Sequence, residues 1–195
     1  MLEKRKAQVL LAYRELSRYG FGKYAGGTVS AIDRERGLIV VKSAQDALVV
    51  DMQGNVLEGT RTPVSDIRSH IAIYQAFPQL GGVVQSQAGF AFLFARAGKE
   101  IPLLRTLPKG CIGGEIPCAP SASEMGRVFR ERSIDPLETP AALVLRCGAY
   151  AWGETALDAV NNAAALEETA DMAYHTLRLD TSLQTVPQGA TVYAQ

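Results

Sequence analysis

The 195-residue chain sets 20 lysines and arginines against 20 aspartates and glutamates, carries two histidines and three cysteines, and is 47% hydrophobic. That length suits one domain, 1–195, able to bury about 70% of its unfolded surface without a disulfide or metal. Zero net charge leaves no footprint for nucleic acid or anionic lipid and suits a chain that buries surface in an oligomer.

Cys111, Cys118 and Cys147 form no C-x-x-C pair, which argues against a disulfide framework or a Cys-rich zinc knuckle. Two histidines exclude a three-imidazole metal site within one chain. Lys4, Arg5 and Lys6 precede an apolar stretch of only Val9 to Ala12, too short for a leader core or a membrane span, so a cytoplasmic protein is expected.

Residues 3–19 read as an amphipathic helix, with Val9, Leu10, Tyr13 and Leu16 on one face and Gly20 as its C-cap. The glycine-rich stretch that follows formally contains Gly20-x-Gly22-x-x-Ala25. A dinucleotide fingerprint needs a strand before it and a helix after it, and here the order is reversed. Apolar β-branched runs at Val29–Ile32, Leu38–Val41 and Leu48–Asp51, separated by short polar turns, predict antiparallel strands joined as hairpins.

Ser65 and Asp66 then open a helix whose face is Ile67, Ile71, Tyr74 and Phe77, ending before Pro78. A strand over Gly82–Gln87 leads to a helix over Phe90–Ala97, stopped by Gly98. A short strand near Gly114–Cys118, a helix over Ser123–Arg132 and a strand from Ala142 to Arg146 running toward Trp152 complete the middle of the chain. The longest helix is predicted over Ala156–Leu177, with Ala159, Val160, Ala163, Leu166, Ala170 and Leu177 inward and Glu167, Glu168 and Asp171 in water. Strands and helices that do not alternate strictly predict a mixed α/β sheet, largely antiparallel, covered by helices.

Several segments together carry a resemblance. Ser30-Ala-Ile-Asp-Arg-Glu-Arg-Gly37, Glu58 through Asp66, His70, Tyr74-Gln-Ala-Phe-Pro78, Gly81-Gly82-Val-Val84, Ile116-Pro-Cys118, Ala151-Trp-Gly153 and Asp158-Ala-Val are collinear over nearly the whole chain. They resemble the class II aldolase and adducin family, and within it the L-ribulose-5-phosphate 4-epimerase branch. The resemblance implies a three-layer α/β/α domain around a mostly antiparallel central sheet, assembled as a homotetramer with sites between subunits. It also implies a zinc ion, held by two imidazoles of an H-x-H strand and a third from a later strand, that polarises a substrate carbonyl.

Carried onto this chain, the three zinc-ligand positions are Gln85, Gln87 and Cys147. Residues i and i+2 of a strand share a face and can act together, but neutral amides suit hard cations and a lone thiolate suits soft ones. No retained zinc cofactor is therefore expected, and the three side chains are expected to fill the pocket by hydrogen bonding and packing. The family's phosphate loops resemble G-N-x-S, K-P-S-G and S-S; here they read Gly27-Thr28-Val29-Ser30, Lys42-Ser43-Ala44-Gln45 and Val64-Ser65. Thr28, Ser43 and Ser65 remain as hydroxyl donors for a small sugar-like ligand.

Asp66 falls at the family's catalytic carboxylate, and Tyr193 corresponds to a C-terminal tyrosine that acts as an acid across a subunit boundary. A proton-transfer aspartate of the branch falls near Gly110. A helix N-terminus is expected to lower the proton affinity of Asp66. His70, four residues on, makes an Asp66–His70–Cys147 metal set conceivable, though a structural histidine is favoured; His175 reads as a surface or interface residue. A nucleophilic Cys147 needs a neighbouring base. Two functions follow: a binding, regulatory or assembly protein that has lost zinc-dependent aldolase and epimerase activity, or a metal-independent lyase or epimerase using Asp66 and Tyr193, with the amides of Gln85 and Gln87 as neutral oxyanion donors.

Overall fold

The computed structural model describes residues 2–21, 27–42, 47–59, 66–104 and 112–179. Ser43, Ser65 and Tyr193, expected above to bind ligand or transfer a proton, lie outside the described residues. Helix α1 (Leu2–Arg18) precedes strands β1 (Thr28–Asp33), β2 (Leu38–Lys42), β3 (Ala47–Asp51) and β4 (Val56–Glu58). Helix α2 (Ile67–Ala76), β5 (Gly82–Ser86) and α3 (Gly89–Ala97) follow. Then come β6 (Cys118–Ala119), a 3-10 turn (Ala122–Glu124), α4 (Met125–Glu131), β7 (Ala141–Val144), β8 (Gly148–Gly153) and α5 (Ala156–Leu179).

The strands form one eight-stranded sheet in the order β4-β3-β2-β1-β5-β8-β7-β6, antiparallel throughout except for the β6–β7 pair. Both faces are covered. Val29, Ala31, Val40, Val49, Val84, Ala149 and Ala151 point to a core shared with α1, α3 and α5. The alternate residues Ile32, Ile39, Val41, Leu48, Val50, Val83, Tyr150 and Trp152 point to a second core with α2 and α4. Burial on both faces explains why these strands read as continuous apolar runs rather than as alternating patterns. In the second core Trp152 stacks within 5.3 Å of Phe77 and 5.5 Å of Phe129, and its indole N–H donates to Pro136 O at 2.8 Å. No helix among the described residues is long and apolar enough to cross a membrane.

Three expectations needed correction. The strand expected from Ala142 toward Trp152 is a hairpin, broken at residues 145–147, where Arg146 takes the left-handed conformation at φ 59° and donates its backbone N–H to Ala95 O. No Gly-Asn pair marks that turn in the sequence. Strand β4 was missed because it is a three-residue edge strand with two exposed side chains. Glu167, expected in water, is turned inward: its carboxylate accepts the backbone N–H groups of Phe90 and Ala91, the latter at 3.1 Å, and so caps α3, whose own N-cap is Ala88. Gly89 sits under that carboxylate at φ 78°, where a Cβ would collide with Glu167.

Candidate functional site

Strand pairing brings the site together at one end of the sheet. Gln85 on β5 lies opposite Thr28 on β1 and opposite Tyr150 on β8. Cys147 closes the β7–β8 turn, and Asp66 is the N-cap residue of α2, although its side chain makes no cap hydrogen bond. Freed from capping, Asp66 points to the sheet instead. The Tyr150 hydroxyl donates to Asp66 Oδ1 at 3.2 Å, and Cys147 Sγ lies 3.3 Å from the Tyr150 oxygen and 3.9 Å from Asp66 Oδ1.

The two glutamines behave differently. Gln87, one residue beyond β5, donates Nε2 to Cys147 O at 3.0 Å and so ties the β5 end to the β7–β8 turn. Gln85 is 2% exposed; its Nε2 makes no well-aligned hydrogen bond, yet its amide favours the nearby Asp66 carboxylate. Both side chains flank Gly148: a Cβ there would stand 3.2 Å from Gln85 Nε2, 3.5 Å from Gln87 Cγ and 2.8 Å from Ser86 O. Glycine is what lets the amides approach the turn. The sequence expectation was that these three side chains hydrogen-bond one another; instead Gln87 reaches a backbone carbonyl and the Cys147 thiol faces Tyr150 and Asp66.

Burial raises the proton affinity of Asp66, against the opposing pull of Tyr150, Cys147 and Gln85, which favour the carboxylate. This reverses the expectation drawn from the helix N-terminus, because desolvation outweighs the field of a helix end that the side chain does not cap. The Tyr150 phenol is held well above its usual range, chiefly by burial and then by the adjacent Asp66 charge.

Other expected residues are placed elsewhere. Thr28 is buried on β1 beside Gln85. Ser30, two residues on, is wholly buried with its hydroxyl shared between His70 Nδ1 at 2.7 Å and the Tyr74 oxygen at 2.9 Å, so it is committed to the core. His70 is thus a structural histidine; it faces Ser30 and does not join Asp66 and Cys147. Among the described residues no three His, Cys, Asp or Glu side chains converge to hold a metal. His175 is on the surface, 3.2 Å from Asp171. Tyr150 was missed: it stood within an Ala-rich strand, and only the pairing of β8 with β5 brings its hydroxyl to Asp66.

The zinc ion implied by the resemblance needs several lone pairs of nitrogen, sulfur or carboxylate type. Here Gln85 and Gln87 offer only neutral, hard amide oxygens, and the Cys147 thiol is the one soft donor of the three. These residues do not fit zinc.

The sequence pattern of the family described as Class II Aldolase and Adducin N-terminal domain matches residues 7–174. The L-ribulose-5-phosphate 4-epimerase UlaF of Salmonella typhi is 42% identical over 194 aligned residues, covering 89% of this chain and 85% of that protein. Among solved structures, an L-fuculose 1-phosphate aldolase superimposes with a TM-score of 0.73 at 20% identity, covering 94% of this chain and 91% of that one. The L-fuculose-1-phosphate aldolase of Thermus thermophilus gives 0.68 at 20% identity, covering 93% and 100%. At that identity the structural likeness speaks for the fold alone.

Proposed function

Because the chain belongs to the class II aldolase and adducin family and resembles its L-ribulose-5-phosphate 4-epimerase branch, we propose that it is a metal-free binding or regulatory protein of sugar-phosphate metabolism that has given up zinc-dependent aldol and epimerase chemistry. The observation that carries this reading is the rewired ligand set. At the positions where three imidazoles would face a metal, one amide ties down a backbone carbonyl, one is buried where it favours the Asp66 carboxylate, and a thiol leans on a phenol and a carboxylate.

Without a cation, a bound carbonyl is polarised by hydrogen bonds only. A neutral amide donor stabilises a developing oxyanion far less than a divalent ion does. The site nevertheless keeps the means to recognise a small polar ligand: the Gln85 donor, the Asp66 acceptor and the buried Thr28 hydroxyl at the end of β1. Assembly as a homotetramer belongs to the same proposal.

The test combines metal analysis of the purified protein with retro-aldol and epimerase assays on L-ribulose 5-phosphate and L-fuculose 1-phosphate. The expected result is sub-stoichiometric zinc and no turnover, with thermal stabilisation by a sugar phosphate. Stoichiometric zinc accompanied by turnover would falsify the proposal. Turnover that persists in chelator would replace it with a metal-independent lyase or epimerase.

A further inference from the structure

A cavity of about 490 Å³ opens at the end of the sheet away from Gln85, between the start of α1, the turn after β1 and the approach to β5. Gly82, where β5 begins, pairs with Ala31 and Gly153, three residues or about 10 Å along the strand from Gln85. Small-molecule sites commonly have volumes of about 300–1,000 Å³. Backbone hydrogen bonds fix one wall: Ile32 N–H donates to Gly81 O at 3.1 Å, and Gly81 N–H to Gly153 O at 2.9 Å.

Asp33 lines this cavity at 6% exposure, and alternation from Ala31 turns it toward α1. Its Oδ1 accepts the backbone N–H of Arg36 at 3.3 Å, and its Oδ2 has no partner among the described residues. Aspartate is almost never this buried unless paired, which marks it as an acceptor for a positive group. Lys4 and Arg5 line the same cavity from the first turns of α1, where the helix dipole disfavours cations. The adjacent Lys6 is paired with Glu3 and Glu58, whereas none of the ion pairs among the described residues includes Lys4, Arg5 or Asp33. Arg34, also in the lining, is already spent on the carbonyls of Tyr74, Phe77 and Leu80. Glu35 and Glu154, the other acids there, are exposed to water. One buried carboxylate and two cations without a counter-charge therefore face a single space.

We propose that this cavity is a second ligand site, for a free α-amino acid with an aliphatic side chain. Asp33 accepts the ammonium group, Arg5 and Lys4 take the carboxylate, and the lining residues Ile32, Pro78 and Leu80 border the aliphatic part. A zwitterion answers both charges of the cavity at once, which neither a simple acid nor a simple amine does. The carboxylate also meets the positive end of α1 and relieves the crowding of two cations there.

The experiment is calorimetric titration of the full chain at low salt with L-leucine as the probe. Its controls share the carbon skeleton: 4-methylpentanoate lacks the ammonium group, and 3-methylbutylamine lacks the carboxylate. L-leucine is expected to saturate with a Kd of about 1 mM or tighter, and each control to bind at least about tenfold more weakly. Backbone amide shifts on titration should cluster at residues 33–36 and 79–82. Asp33→Asn, which keeps an Oδ1 acceptor for the Arg36 N–H, should weaken L-leucine about tenfold, as expected for the loss of one charged contact. Arg5→Gln, on the surface of α1, should also weaken it and serves where the first variant fails to fold. No saturation below about 10 mM, a control that binds as tightly as L-leucine, shifts centred elsewhere, or an unchanged Kd in either folded variant overturns the proposal. None of Gln85, Gln87 and Cys147 lines this cavity, so metal content and turnover at the other end of the sheet leave the result untouched.

Discussion

His70 gives the sharpest test of how the second core is built. Its side chain is fully buried, Nδ1 is shared with Ser30, and Nε2 has no partner. The groups around it are Ser30, the Tyr74 hydroxyl beyond it, the Tyr150 ring edge-on at 6.2 Å, and Arg34 over the Tyr74 ring. None of these carries a negative charge to pair with an imidazolium, and burial lowers the His70 pKa from 6.5 to about 3. The unfolded chain therefore binds a proton between pH 6.5 and 3 that the folded chain refuses, so stability falls as pH falls through that window. Lowering the pH from 7 to 5 should cost about 2 kcal/mol from this group alone, a fall of roughly 1 M in the urea midpoint. Asp66 and Glu167 work the other way, since burial raises their proton affinity and acid relieves them. The isolating measurement is urea unfolding of wild type and His70→Asn at both pH values. Whatever its absolute stability, the variant should lose about 2 kcal/mol less than wild type on acidification. Equal losses would mean that the folded state accommodates a protonated His70.

The remaining predictions concern packing and the site. Gly82→Ala should destabilise by about 3 kcal/mol in thermal or urea unfolding, at the upper end for overpacking, because its Cβ would sit 2.4 Å from Thr155 O and 2.5 Å from Ala156 N, both backbone; a neutral effect would mean that the start of α5 can move. Glu167→Ala should cost about 1–3 kcal/mol by orphaning the N–H groups of Phe90 and Ala91, and amide exchange should quicken at the first turn of α3; unchanged exchange there would exclude a capping role. The triple variant Gln85→His, Gln87→His, Cys147→His should bind zinc at one equivalent per chain by atomic absorption while wild type does not, and equal binding by both would remove the chemical basis for metal loss.

Local signals made most elements legible. The helices α1, α3 and α5 were predicted within two residues, because apolar spacing and the stops at Gly20 and Gly98 are written locally. The strands β1 to β3 and β5 were marked by β-branched runs. The β7–β8 turn was not, since a left-handed arginine carries no turn signature, and Glu167 was misplaced because its partners lie 77 and 76 residues away. In the site, residue types were readable and connections were not. That Gln85, Gln87 and Cys147 stand at the family's zinc-ligand positions is what the resemblance implies. That one glutamine is spent on a backbone carbonyl, and the other held in register opposite Tyr150, depends on the strand ending at Ser86.

That ending also explains why the two amides diverge. A strand continuing through residue 87 would place both side chains on one face at equal depth, as a chelating pair requires. Instead Gln85 is held inside the register against Tyr150, and Gln87 has left the ladder and reached across to the β7–β8 turn. Placing imidazoles at residues 85 and 87 therefore does not by itself align them along one strand face, and the Gln87→His substitution removes the hydrogen bond that now holds the turn. If the triple variant binds zinc as expected, the metal itself must supply the connection between β5 and the turn that Gln87 provides in its absence.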